Sequence, residues 1–158
     1  MNILALIGFL VIFVYTVYII YKTKDIPVSL SCSVYDLNIK NRWIFTIVMW
    51  IVGFMISPCL FAVASESTKI LAFFTIGGLI GVGVDPLVKG EKNLVHYISA
   101  IICGISSQIL LFLDIPLVLL LWGLYIPYTL IWEFSGKNMF FAELIMIIQI
   151  MLMCLLLF

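Results

Sequence analysis

Six apolar runs, each close to the length of a membrane span, constrain this chain more than any other feature. A helix needs about 20 apolar residues to cross a bilayer core of roughly 30 Å. The runs cover residues 3–21, 43–64, 68–84, 94–113, 115–132 and 139–158, and the third is short. Their apolar character is continuous, whereas a strand of a membrane barrel alternates polar and apolar positions. A helix satisfies its backbone groups within the segment, as the lipid core demands. The expected fold class is all-α: a polytopic transmembrane helical bundle of about six spans. It forms one domain over residues 1–158, since no loop is long enough to hold a second.

Composition agrees. Hydrophobic types make up 65% of the 158 residues and charged types 10%, against about 45–50% and about 25% in soluble domains. Eight Lys and Arg balance eight Asp and Glu. No basic surface exists to engage phosphates, so a nucleic-acid partner is excluded. A soluble globular domain and a disordered tail are excluded as well.

The join between the fourth and fifth runs holds only Asp114, with Pro116 just after it. Proline is tolerated in the first turn of a helix, so Leu113-Asp114-Ile115-Pro116 reads as a tight turn between antiparallel helices. A re-entrant hairpin here is the alternative, leaving four full spans. A count of five is a further one and would move the C-terminus across the membrane. No basic residue precedes the first run, and no small-residue cleavage site precedes Lys22. The first run is therefore expected to stay as an anchor rather than leave as a signal peptide.

Lys and Arg collect on the cytoplasmic side. Lys22, Lys24, Lys40, Arg42, Lys89, Lys92 and Lys137 fall in alternate loops, and Lys69 is the sole exception. Six spans then place loops 22–42, 85–93 and 133–138 in the cytoplasm and both termini outside, in a bacterial inner membrane. Tyr15, Tyr18, Tyr21, Trp43 and Trp132 lie near span ends, where aromatic belts form. In the first loop, Pro27 and the serines disfavour a regular helix. Ser29-Leu30-Ser31 with Val34, Tyr35 and Leu37 suits a short interfacial segment. Pro58 and Pro127 fall inside spans, where proline kinks a helix.

Helix association in lipid depends on close packing of small residues. Gly77 and Gly81 make a G-x-x-x-G pair, and Ala100 and Gly104 make a similar small face, flanked by Ser99, Cys103 and Ser107. The third and fourth spans are expected to pack through these residues, or else to present a homodimer face. Gln108 and Gln149 are expected to hydrogen-bond between helices.

Four cysteines, Cys32, Cys59, Cys103 and Cys154, show no C-x-x-C spacing and read as small packing residues. One histidine with dispersed carboxylates is a poor metal site, so neither a metal nor a cofactor is expected. The chain has no G-x-S-x-G, H-E-x-x-H or Walker sequence. The informative polar groups are Asp85, His96, Glu133 and Glu143, all expected near the cytoplasmic membrane face. Ionisable groups in spans are costly and turn toward protein or water. His96, Ser99, Cys103 and Ser107 share one helical stripe, so His96 is expected to look into the bundle. Asp85, His96 and Glu143 are the weak catalytic candidates, since a histidine beside a carboxylate suits proton transfer. Helix anchoring by hydrogen bonds is the simpler reading of the same residues.

Ile26-Pro27-Val28-Ser29-Leu30-Ser31, Tyr35, Arg42-Trp43-Ile44-Phe45, Gly81-Val82-Gly83-Val84-Asp85-Pro86 and Val95-His96-Tyr97-Ile98-Ser99-Ala100 appear in that order. In these segments the chain resembles small polytopic membrane proteins of gut Bacteroidales and their phages or prophages. The resemblance runs from the first loop to the fourth span. It departs at Asp85, where those proteins carry a small residue, while His96-Tyr97 keeps the pattern. It implies a membrane location and an accessory or interference role, and it carries over no activity.

Three functions follow. The absence of catalytic motifs and soluble domains favours a non-enzymatic protein acting through a membrane or envelope partner, including a second copy of itself. A small oligomeric transporter or channel is the next reading, although span centres almost free of charge disfavour ion conduction. A lipid-active enzyme using His96 with Asp85 or Glu143 is the third.

Overall fold

The computed structural model describes residues 2–84, 94–131 and 137–157 of the chain. Six helices form a bundle: α1 (Asn2–Thr23), α2 (Trp43–Val63), α3 (Lys69–Val82), α4 (Leu94–Asp114), α5 (Trp122–Ile131) and α6 (Asn138–Leu156). No strand occurs among the described residues. The fold class is the one the apolar runs predict. Four helices, α1, α2, α4 and α6, are long and apolar enough to cross a membrane. The protein is membrane-embedded.

Helical periodicity sorts side chains into those facing neighbours and those facing lipid. On α1, Ala5, Ile12, Tyr15 and Ile19 are buried, while Leu6, Leu10, Phe13 and Val17 are exposed. On α4, Ile98, Ile101, Ile105, Ile109 and Phe112 form the exposed row. Apolar surface in hydrocarbon has no drive to be covered, so close approach and interhelical hydrogen bonds decide how the helices meet. α1 packs on α2, α2 on α3 and α3 on α4, and α6 touches α1, α2, α4 and α5.

Two segments differ from expectation. The third was expected over 68–84, but α3 has 14 residues, about 21 Å at about 1.5 Å per residue. The fifth was expected as one helix over 115–132. Instead a 3₁₀ segment, Pro116–Leu121, precedes α5. Ile115 adopts φ −151° and ψ 69°, Pro116 lacks an N–H, and Val118 N–H closes an i→i−3 bond to Ile115 at 3.1 Å. The chain therefore restarts in the tighter helix before relaxing into α5. Pro58 and Pro127 lie inside α2 and α5 as expected. Pro58 cannot donate to the Phe54 carbonyl, and the Ser57 hydroxyl donates there over a long 3.4 Å.

Each end of the bundle is tied by polar contacts. At one end, Asp114 closes α4 and accepts from Ser65 N–H (3.3 Å), the Ser65 hydroxyl (2.9 Å) and the Thr68 hydroxyl (2.6 Å). The acid at the start of α3 also suits the positive end of that helix dipole. The other end carries Lys22, Lys24, Lys40, Arg42 and Lys137 and is called the basic end below. There the first loop folds back onto the bundle. Lys24 at φ 57° turns the chain out of α1, in the left-handed conformation common at helix ends. A 3₁₀ turn, Cys32–Asp36, follows, and Leu30, Val34 and Leu37 are buried. Tyr15 reaches this loop rather than a membrane interface. It is buried, and its hydroxyl hydrogen-bonds Ser33 Oγ at 2.7 Å. Tyr21 and Trp43 are exposed, while Trp132 lies outside the described residues.

Inside the bundle, Trp122 Nε1 donates to Gln108 Oε1 at 2.8 Å. Gln108 Nε2 donates to Gln149 Oε1 at 3.1 Å, and Gln149 Nε2 to the Val118 carbonyl at 3.3 Å. The two glutamines thus link helices, as expected, and bind the irregular 116–121 stretch to α6.

A candidate binding cavity between α4 and α6

α3 and α4 pack as expected, and Gly81, Ser99 and Cys103 take part, but Gly78 stands in place of Gly77. A Cβ placed on Gly77 would meet nothing within 4 Å. On Gly78 it would fall 2.7 Å from the Cys103 backbone nitrogen and 2.7 Å from the Ser99 carbonyl oxygen. On Gly81 it would collide with Ser99 Oγ and lie 2.9 Å from Ser99 Cβ. Gly78 therefore admits the α4 backbone and Gly81 the Ser99 side chain, while Gly77 faces neither. Thr75 and Ser106 join the same seam through their hydroxyls at 2.9 Å.

Ala100 and Gly104 do not face α3. They line a cavity on the other side of α4, and the nearest atom to a Cβ on Gly104 would be Met146 Sδ at 3.8 Å. The cavity has a volume of about 450 Å³ and reaches from α4 to α6, with α2 and α3 behind it. Its walls are apolar, and Met49, Met139, Met146 and Met151 contribute to them. Methionine is flexible and polarisable and suits a surface that must adapt to its contents. Tyr97, Ile101 and Met139 line it and are themselves exposed, at 53%, 59% and 56%. The cavity therefore opens sideways between α4 and α6.

Its ionisable groups and the loop serines gather at the basic end, while the Ser107 hydroxyl, deeper in the cavity wall, is spent on the Gly104 carbonyl. His96 on α4 is buried and lines the cavity, as does Glu143 on α6. The stripe argument for His96 thus holds, and two of the three candidate residues face one space. Asp85 and Glu133 lie outside the described residues.

Glu143 is held by the first loop. Its carboxylate accepts from Ser31 N–H (2.9 Å), the Ser31 hydroxyl (2.7 Å) and the Ser29 hydroxyl, which is 3.1 Å from both oxygens. Hydrogen bonds to an ionised group are roughly twice as strong as neutral ones. The neighbouring backbone supports this grip, because Phe140 N–H donates to the Val28 carbonyl at 3.1 Å. Lys137 pairs with Asp25 at the outer edge. The Lys137 ammonium holds the exposed Asp25 carboxyl below its usual range, helped by the Ile26 N–H. Residues 28–32 therefore form the polar wall of the cavity.

The serines were not read as partners of Glu143. The sequence signal was indirect: a Pro-Val-Ser-Leu-Ser segment rich in short donors and, more than a hundred residues on, a span carrying a carboxylate. Cys32 and Cys103 line the cavity, while Cys59 and Cys154 are buried, with Cys59 Sγ 3.4 Å from the Cys154 carbonyl. Among the described residues no three His, Cys, Asp or Glu side chains gather as a metal ion would need. Chemically, the site offers an apolar chamber with hydroxyls, an imidazole and an anchored carboxylate at one end.

Comparison with known proteins finds no family model that matches the chain, no matching curated protein and no matching solved structure.

Proposed function

We propose that this protein is a non-enzymatic membrane protein that binds an amphiphilic molecule in the cavity between α4 and α6. The carrying observation is one 450 Å³ space with apolar walls, a sideways mouth and His96, Glu143 and the loop serines lining it. Binding pockets for small molecules run from roughly 300 to 1,000 Å³ and are mostly apolar with a few placed polar groups. A molecule already dissolved in the bilayer reaches such a mouth without crossing water. Its tail would lie along the methionines, with its head beside Glu143, His96 and the serines. This reading keeps the non-enzymatic expectation and makes the first partner a lipid-like molecule. The excess of Lys and Arg at the basic end supports placing that end in the cytoplasm of a bacterial cell, with both termini outside. The head would then sit at the cytoplasmic face.

The test is to purify the chain from native membranes and identify extracted amphiphiles by mass spectrometry. The expected result is one class enriched over the bulk membrane extract and absent from Gly104→Leu, which fills the cavity. Equal profiles from both chains would count against binding. A specific protein recovered instead would favour the partner reading.

A further inference from the structure

A second site lies where α1 ends, in a surface concavity that shares no lining residue with the cavity. We infer that this concavity, lined by Ile20, Tyr21, Lys22 and Lys24, holds the phosphate of an anionic phospholipid between the two ammonium groups.

The backbone explains how two lysines meet there. Residues two apart on a helix do not face each other, so a continued α1 would separate Lys22 from Lys24. Instead α1 ends at Thr23, and Lys24 takes φ 57°. Glycine usually holds this position, and sometimes asparagine, because a Cβ is strained in it. The turn itself is held by Thr23. Its hydroxyl lies 2.8 Å from the Ile19 carbonyl oxygen and 2.7 Å from that of Asp25, and accepts the Asp25 N–H at 3.4 Å. Strain kept at a residue that does not build its own turn is a mark of function.

The surroundings select the ligand. Lys22 and Lys24 are exposed. The adjacent Asp25 carboxylate is engaged by Lys137 and by Ile26 N–H at 2.8 Å. Ile20 and Tyr21 give the concavity apolar surface, and Tyr21 is exposed at the end of a membrane-spanning helix. Amphipathic rings at that depth meet lipid headgroups. A soluble phosphate gains nothing from apolar surface, whereas a phospholipid lays its first methylenes against it. Basic residues clustered beside a span recognise anionic heads.

Native mass spectrometry of the full chain in mild detergent tests this, with phosphatidylglycerol and phosphatidylcholine of matched acyl chains. Phosphatidylglycerol is expected to be retained preferentially. Lys22→Gln and Lys24→Gln should each lower its retention about fivefold, which is ~1 kcal/mol. Lys40 is exposed at the same end and does not line the concavity, so Lys40→Gln should leave retention nearly unchanged. Lys24→Gly separates binding from folding: retention should fall as in Lys24→Gln, while thermal stability holds or rises because glycine accepts the positive φ. Gly104→Leu, in the cavity, should leave retention unchanged. Equal retention of both lipids overturns the inference. So does a loss in Lys40→Gln equal to the other two, which would mark diffuse charge. Loss in Gly104→Leu would assign the lipid to the cavity and overturn this site while leaving the binding reading standing. Displacement by inorganic phosphate as effective as by phosphatidylglycerol would overturn the choice of a lipid.

Discussion

The two faces of α4 use the same kind of residue for opposite ends. Toward α3, Gly78 brings backbone against backbone and Gly81 takes the Ser99 side chain, and no methyl group fits at either position. Toward α6, Ala100 and Gly104 are equally small, yet the neighbouring helix does not fill the space. Smallness allows close approach but does not compel it. What differs is what holds the partner. α3 closes onto α4 through the Thr75–Ser106 hydroxyl contact and the Asp114 cap. α6 is held at Glu143 by the first-loop serines and at Gln149 by the glutamine chain. Alongside these contacts the cavity runs from Met139 to Met151 of α6.

The largest effect should come from the closed face. Gly78→Leu forces the α3 and α4 backbones apart, at or beyond the upper end of the ~1–3 kcal/mol typical of overpacking. Gly77→Leu, one residue away, should be nearly silent. Thermal unfolding in detergent compares them, and equal losses would erase the contrast between the two glycines. Next comes the polar wall of the open face. Glu143→Ala strands the Ser29 and Ser31 donors and should cost about 1–3 kcal/mol. It should also free the loop, read as faster maleimide labelling of Cys32. Unchanged labelling would mean that Glu143 does not hold the loop.

The far anchor of α6 should matter less. Gln149→Leu should cost about 0.6–1.7 kcal/mol, the range for interhelical hydrogen bonds in membranes. Adding Gln108→Leu should then cost less than it does alone, and full additivity would argue that the two amides act separately. Smaller still is Asp25→Asn. Lys137 lowers the Asp25 pKa, so the pair stabilises the fold above the ordinary carboxyl pKa of about 3.9. That contribution fades as pH falls through the depressed value. The two chains should differ slightly at neutral pH and converge in acid; a difference that persists in acid would assign the effect to something other than charge. The smallest effect is Gly104→Ala, which adds a methyl at 3.8 Å from Met146 Sδ and should leave unfolding unchanged. A loss like that of a closed-face substitution would show the two faces to be alike.

The contrast also explains what could be read in advance. Continuous apolar runs dictate helices in lipid because no other local structure satisfies the backbone there, so helix number and order were legible. Gln108 and Gln149 were legible for the same reason: an amide in hydrocarbon needs a partner, and only another such group sits at its depth. Gly77 was misread because spacings of three and four both share a helix face: the seam keeps Gly81 but pairs it with Gly78, three residues before it, instead of Gly77. The cavity was not legible, since Ala100 and Gly104 look the same whether a neighbour fills their space or leaves it. His96 and Glu143, singled out in the sequence, both line the cavity. The serines that fix Glu143 are more than a hundred residues away in sequence, and nothing local announces that pairing. The break at Pro116 was visible as a turn, but the 3₁₀ geometry depends on Ile115 adopting an unusual backbone shape.

That long-range pairing bears on biosynthesis. Ser31 and Glu143 are 112 residues apart, so the first loop is made long before the helix that completes it. At roughly 5–20 residues per second, this interval is about 6–22 s, during which Ser29, Ser31 and the buried Leu30 and Val34 lack their final neighbours. A helix made this much later, α6, thus completes the loop that follows α1. A ribosome-stalled chain lacking α6 should leave this loop open to protease, and the released full chain should protect it. Quality control would have a simple cue to read: an exposed loop at the basic end marks a chain whose α6 has not arrived.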